Sequence, residues 1–197
     1  MRSSQFGLTT CDRQRATPGF TLYSPNFTRE TYLVGLGGEV LHQWRDHPRV
    51  PGNYAYLLEN GNLLWAGKLA EGNLPHTGGK GGWLRELDWD GRLVWEYRDP
   101  NQHHDFRRLA NGNTIYIGWE AMSPENIRRV KGGVPGSEKN GVIYGDYIRE
   151  IDPSGRTVWE WHAQDLEIEN YPLNMVGHRE EFAHCKDRKS TRLNSSH

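Results

Sequence analysis

Within residues 84–97, LRELDWDGRLVWEY, apolar and charged residues take opposite faces at period two in LRELDW and LVWEY, and residues 148–161, IREIDPSGRTVWEW, repeat the phrase. That period sends apolar side chains to one face and charged ones to the other, the pattern of a half-buried strand. Asp90-Gly91 and Ser154-Gly155 interrupt the two runs with turn residues, so each run predicts a hairpin. Residues 32–44, YLVGLGGEVLHQW, are a looser copy with Gly37-Gly38 at the turn. A second phrase also recurs, YAYLLENGNLLWAG at 54–67 and FRRLANGNTIYIGW at 106–119. Asn60-Gly61 and Asn111-Gly112 within it are dipeptides favoured by type I′ hairpin turns.

The two phrases interleave, and self-similarity at this spacing predicts a repeat architecture. One unit is expected to have strands at 53–58, 62–67, 83–88 and 92–97. The next has them near 104–109, 113–119, 146–151 and 156–161. The earliest copy supplies three, within 19–25, 30–36 and 39–44. Four-stranded antiparallel units in series predict an all-β chain, a partial β-propeller of about three blades. The expected organisation is an N-terminal extension at 1–18, the partial propeller at 19–186, and a separate tail at 187–197. Two longer loops, Lys68–Gly82 and Ala121–Gly145, join second and third strands. SPENIRRV in the latter predicts a short helix with Ser123 as N-cap and Pro124 at N1, ended by GGVPG.

The tail DRKSTRLNSSH, Asp187–His197, resembles the translation of a common short-read sequencing adapter and is read as an assembly artefact. Two complete blades and two partial ones make no ring. The chain is therefore expected to be an N-terminal fragment of a protein at least twice as long.

Composition narrows the functional classes. Hydrophobic content is only 35%, but 8 Trp, 9 Tyr and 23 Gly suit short strands and tight turns. A net charge of −1 gives no reason to expect nucleic acid or a membrane surface as partner. Cys11 and Cys185 lie far apart, without metal-ligand spacing, and suit a reducing compartment. The start has no apolar h-region, and no run approaches a membrane span. The expected location is the cytoplasm. No metal and no cofactor is expected.

His103-His104-Asp105 is the polar cluster where the copies diverge; the preceding repeat has Gly52-Asn53-Tyr54 there. An imidazole serves as acid, base, nucleophile or ligand near neutral pH, and an adjacent carboxylate can fix its tautomer. Strand alternation lets one of the two histidines face a central channel, and His104 is favoured. Arg107 and Arg108 follow as anion-binding candidates. His184, in REEFAHC at 179–185, falls where a further blade would open. GGKGG at 78–82 offers backbone N–H groups and Lys80 to an anion, but lacks the P-loop pattern. His42, His47, His76, His162 and His178 show no acidic or thiol partner at ligand spacing and are read as structural or solvated. Trp44, Trp95, Trp159 and Trp161 recur at strand positions and are read as packing residues.

Several of these motifs occur together and in order: GFTLYSP, GGKGG followed by LRELDWDG, VWEY with DPNQHHDFRRL and NGN, GGVPG, and IREIDPSG with VWEWH. In this the chain, from about Phe6 to His184, resembles the arylsulfotransferase family of propellers. The resemblance implies a six-bladed propeller with a funnel along its axis. It also implies transfer of a sulfuryl group from a phenolic sulfate ester to a phenol, through a transiently sulfated channel histidine. Further His, Arg and Asn residues hold the sulfate. His103 and His104 match the family's His-Asp at the start of an inner strand. His184 resembles the start of a His-x-Asn motif, with Lys186 in place of Asn. The sulfated histidine is expected on a later blade. His104, His103 and His184 are then catalytic candidates, and Arg107, Arg108, Lys80 and Asp105 sulfate-binding ones. The partners implied are an aryl sulfate and a phenol, with a monomer at full length. Two other readings stand beside it, a non-catalytic binding scaffold and a metal-dependent propeller hydrolase. The fragment alone is expected to be inactive and prone to aggregate through unpaired strand edges.

Overall fold

The computed structural model describes residues 8–45, 47–71, 79–130 and 142–165. The described chain is all-β apart from one short helix and a 3-10 turn at Ala163–Asp165. Strands β1 (Thr21–Tyr23), β2 (Thr31–Val34) and β3 (Val40–Trp44) form a three-stranded antiparallel sheet in that order. Strands β4 (Pro51–Leu57), β5 (Leu63–Lys68), β6 (Gly82–Leu87) and β7 (Leu93–Arg98) form a four-stranded antiparallel meander. Strands β8 (Gln102–Arg108), β9 (Thr114–Ala121), β10 (Tyr144–Ile151) and β11 (Thr157–His162) form another sheet, each beside its neighbour in sequence. The expected strands begin and end within two residues of these.

The turns differ from expectation. Five hairpins share one geometry, closed by Gly35 with Glu39, Leu58 with Asn62, Asp88 with Arg92, Leu109 with Asn113 and Asp152 with Arg156. Each has a three-residue loop whose last member is glycine, and those glycines have φ of 81° to 85°. Asn60 and Asn111 do not have positive φ, so the turn is not type I′. It is a type I turn followed by a left-handed glycine, the usual three-residue hairpin. Asparagine is there for its side chain. Asn60 Oδ1 accepts the Asn62 N–H at 3.0 Å, and Asn111 Oδ1 accepts that of Asn113 at 3.0 Å. Asp88 and Asp152 do the same for Arg92 at 2.8 Å and Arg156 at 3.0 Å. A hydrogen bond from Ser154, reinforced by those from Arg156, holds the Asp152 carboxyl well below the usual carboxylate range.

By compactness the described residues fall into two units: those up to Ile117 together with Ile151–Arg156, and the remainder. In the first, alternate strand positions collect Leu33, Trp44, Leu63, Trp65 and Leu87 into one core, with Leu22, Ala55 and Leu57 packed on it. Full burial of each such aliphatic side chain stabilises by about 1.5–3 kcal/mol. Indoles tie neighbouring sheets together: Trp44 Nε1 donates to Asp88 O at 2.9 Å, and Trp95 Nε1 to Pro153 O at 2.9 Å. His42 stacks on Trp89 at 3.9 Å between ring centroids. His47 is buried, stacked on Trp65 and in contact with Thr31 Oγ1 at 3.0 Å. Both histidines are packing residues, as their sequence context suggests.

In the second unit, α1 (Pro124–Arg129) begins where SPENIRRV predicts. Ser123 Oγ accepts the Asn126 N–H at 3.1 Å, Pro124 occupies the first turn, and Arg128 and Arg129 the last, each suited to the helix end it occupies. GGVPG lies outside the described residues, as do His76, His178, His184, Cys185 and the adapter-like tail. No helix among the described residues is long and apolar enough to cross a membrane.

Candidate active site

The site is built around the chain reversal between β7 and β8. Asp99 and Gln102 close a turn, with Gln102 N–H donating to Asp99 O at 2.9 Å. The Gln102 side chain, 1% exposed, then ties two segments together. Its Oε1 accepts the Gly82 N–H at 2.7 Å and its Nε2 donates to His103 O at 3.0 Å. Gly81 has no alternative here, since a Cβ would stand 2.1 Å from Gln102 Oε1. The described part of GGKGG, residues 79–82, therefore lies as a strap along 102–104. Lys80 bridges His103 in antiparallel fashion, and His104 N–H donates to Gly79 O at 2.7 Å.

At the end of the strap the backbone leaves the strand conformation. His104 has φ of 51°, and among the described residues it is the non-glycine with positive φ. Such a residue is uncommon and is found at functional sites more often than chance. This departure corrects the expectation that the two imidazoles point to opposite faces. The left-handed residue breaks the alternation, and the rings meet, with His103 Nδ1 and His104 Nδ1 2.7 Å apart. His103 is buried and His104 exposed. The His104 ring lies against Gly79, where a Cβ would be 2.3 Å from Cε1.

A nitrogen-to-nitrogen contact at that distance needs one donor and one acceptor. In the neutral pair, one ring is therefore the Nδ1–H tautomer and the other the Nε2–H tautomer. The arrangement links a buried imidazole to an exposed one through a single hydrogen bond. Asp105 does not supply the tautomer-fixing carboxylate in the described contacts: its Oδ1 accepts the Phe106 N–H at 2.8 Å and faces Arg107 at 3.5 Å. His103 stands where that carboxylate was expected.

The cations sort differently from their sequence reading. Lys80 is 7% exposed, and its ammonium donates to Glu71 O at 2.8 Å, so it is not presented to a solvent anion. Arg108 is likewise engaged. It bonds Glu86 at 2.9 Å and Gly112 O at 3.1 Å, and lies over the Trp95 ring at 4.4 Å. With Tyr56 and Asn60 it lines a groove of about 640 Å³ between two hairpins, and neither His103 nor His104 is among the residues lining it. Arg107 is exposed and rests over Tyr54 at 4.5 Å and Tyr56 at 4.9 Å. Of the three cations it is the one suited to meet an anion from solvent. The residue missed at sequence level is Gln102, while Gly79 figures there only as part of an anion-binding GGKGG and not as the seat of the His104 ring. Gln102 directly precedes the histidines, but nothing in the sequence shows its long side chain turning back onto the strap.

His162 also departs from expectation. Its Nδ1 meets Glu120 at 2.8 Å and its Nε2 meets Glu160 at 3.4 Å. Arg149 pairs with Glu160, and Gln164 donates to Glu120 at 2.8 Å. Burial works against the charged imidazole, but the two glutamates outweigh it and raise the pKa above the ordinary value. The charged form is thus favoured on folding. Its stabilisation is complete below the unfolded value near 6.5 and is lost as pH rises through the raised folded value. Thermal melts of wild type and His162→Gln at pH 5.5 and 8.5 should therefore differ more at pH 5.5; an equal difference at both would rule out the ion pairs as the cause. No group of three or more His, Cys, Asp or Glu side chains among the described residues is arranged to hold a metal ion.

Comparison with protein-family models finds no match, and no curated protein is significantly similar to the chain.

Proposed function

We propose that the sheets are blades of a β-propeller and that the protein is an arylsulfotransferase-like enzyme. The observation that carries this reading is the His103–His104 contact, with His104 exposed in a left-handed conformation against a glycine strap. The ordered motifs of the sequence support it. Sulfuryl transfer needs cationic or N–H donors around the three sulfuryl oxygens and a group that moves the phenol's proton. Arg107 is the donor on this wall, and His104 moves the proton, with His103 as the second member of its relay. In the first half-reaction a histidine nitrogen bonds to sulfur, the S–O bond to the donor phenol breaks, and the phenolate takes a proton. In the second half-reaction the acceptor phenol loses its proton, its oxygen bonds to sulfur, and the S–N bond breaks. The sulfated histidine belongs to another blade in this reading.

The test uses the full-length protein, with 4-nitrophenyl sulfate as donor and phenol as acceptor. Covalent transfer in two steps predicts parallel double-reciprocal lines when both are varied. Nitrophenol release that requires added metal and no phenol would replace this reading with the hydrolase. Absence of turnover together with tight binding of a ligand would replace it with the scaffold.

A further inference from the structure

One group of side chains occurs in two successive repeats with the same internal contacts. Aligned on the phrases at 84–97 and 148–161, Trp83 corresponds to Tyr147, Arg85 to Arg149, Glu96 to Glu160 and Arg98 to His162. In each copy the arginine lies over the aromatic ring, Arg85 at 5.1 Å from the Trp83 centroid and Arg149 at 4.7 Å from that of Tyr147. In each copy a glutamate stands between two basic groups, Glu96 between Arg85 and Arg98, and Glu160 between Arg149 and His162. The copies differ in charge. In the later one Glu120 adds a second carboxylate, 2.8 Å from His162 Nδ1. Alignment on Asn60-Gly61 and Asn111-Gly112 puts Leu69 at the Glu120 position of the earlier copy. Two arginines there share a single carboxylate.

That carboxylate satisfies neither arginine. Glu96 Oε2 accepts the Trp83 indole N–H at 3.0 Å and stands 3.8 Å from Arg85 Nε, while its Oε1 stands 3.9 Å from Arg98 Nη2. Both ion-pair distances are too long for a hydrogen bond. The Arg85 side chain is only 15% exposed, and its Nε is buried without a hydrogen-bond partner, a costly state for a charged group. Burial lowers the Arg85 pKa, more than Glu96 raises it, and Arg98 adds to the lowering. Arg98 is stacked 4.0 Å from the Trp83 centroid with its side chain 55% exposed, so a solute can reach the group from its side.

We infer that Trp83, Arg85 and Arg98 form a binding site for a small carboxylate, which supplies from solution the charge that Glu120 supplies in the following repeat. A carboxylate suits the place because a guanidinium presents paired N–H donors to two oxygens. Stacking on one indole holds both guanidiniums ready. The site belongs to the complete sheet β4–β7 and shares no residue with the histidine pair. It rests on the repeat and not on the transferase reading, so either can fail alone.

Titration of the isotope-labelled full-length protein with sodium acetate, at an ionic strength held constant with sodium chloride, tests this. The readouts are the nuclear magnetic resonance signals of the Trp83 indole N–H and Arg85 Nε–H, assigned from Trp83→Phe and Arg85→Lys. Both are expected to move saturably with acetate. Arg98→Gln should raise the half-saturating concentration roughly tenfold or more, as loss of a charge-assisted hydrogen bond does. Glu96→Gln keeps an acceptor for the indole but removes the competing charge, and should lower that concentration about threefold, the size of an exposed charge interaction. Leu69→Glu restores the carboxylate of the next repeat and should abolish the response. Leu69 is buried, so if that variant does not fold, the exposed positions Glu96 and Arg98 decide the matter. Signals that stay still, or that move without saturating, overturn the inference. So does a half-saturating concentration unchanged in Arg98→Gln, or one not lowered in Glu96→Gln.

Discussion

In the full-length protein, replacing His104 with alanine is expected to lower the proposed sulfuryl transfer roughly 100-fold, the lower end of what a positioned acid or base contributes, with the fold retained. His104 is exposed on the edge strand of its sheet, so its side chain contributes little to packing. The main chain keeps its hydrogen bond from His104 N–H to Gly79 O. Far-ultraviolet circular dichroism and the unfolding midpoint should stay close to wild type while the rate falls. Gly79→Ala reaches the same ring by another route. Its Cβ would overlap the His104 imidazole, and Gly79 has φ of 90°, so the ring must move. Gly79 is a positioning residue. Its substitution should lower kcat with little change in KM for the aryl sulfate, whereas Arg107→Ala, which removes a donor to the sulfuryl oxygens, should lower kcat and raise KM together. A His104→Ala variant that transfers at the wild-type rate would remove the histidine pair from the mechanism.

Trp65→Ala is expected to destabilise the protein by about 3–5 kcal/mol, the usual cost of truncating a buried large aromatic. Trp65 is fully buried, lies in the core with Leu33, Leu63 and Leu87, and stacks on His47 at 4.5 Å. Total stability of a domain is about 5–15 kcal/mol, so the loss is a large share of the whole. Trp65→Phe separates volume from polarity. The indole Nε1 is buried with no hydrogen-bond partner among the described residues, and an unsatisfied buried donor costs about 1–3 kcal/mol. Phenylalanine removes that donor while filling most of the space, so it should cost far less than alanine. Urea titration of the two variants measures both effects. Equal losses would mean that the ring volume is not what the site requires.

The strands were legible because their period-two pattern is strong and repeated. In LRELDWDGRLVWEY period two puts Leu84 and Glu86 on one face, and both are buried; Leu87, on the other face, is buried too, in the core with Leu63 and Trp65 and beside a register shift after Glu86, which the pattern does not foretell. The turns were located but mistyped. Asn-Gly serves both type I′ and the three-residue hairpin, and only the φ at asparagine separates them. The histidine pair was singled out by its departure from the repeat. Its geometry was hidden, because the left-handed φ at His104 cancels the alternation that a strand otherwise guarantees. Lys80 and Arg108 were read as anion binders from charge alone. Their partners, Glu71 O and Glu86, lie 9 and 22 residues away in sequence. For His162, Glu160 was visible two residues away, whereas Glu120 comes from 42 residues earlier.

The central claim is that His103 and His104 form one hydrogen-bonded imidazole unit that faces the aryl sulfate. Long-range proton–nitrogen correlation spectra of the histidine-labelled chain, with and without 4-nitrophenyl sulfate, test it most directly. The predicted result is one ring in the Nδ1–H tautomer and the other in the Nε2–H tautomer, with the nitrogen shifts of both moved by the ester. Two rings in the same tautomer, with shifts indifferent to the ester, would contradict it.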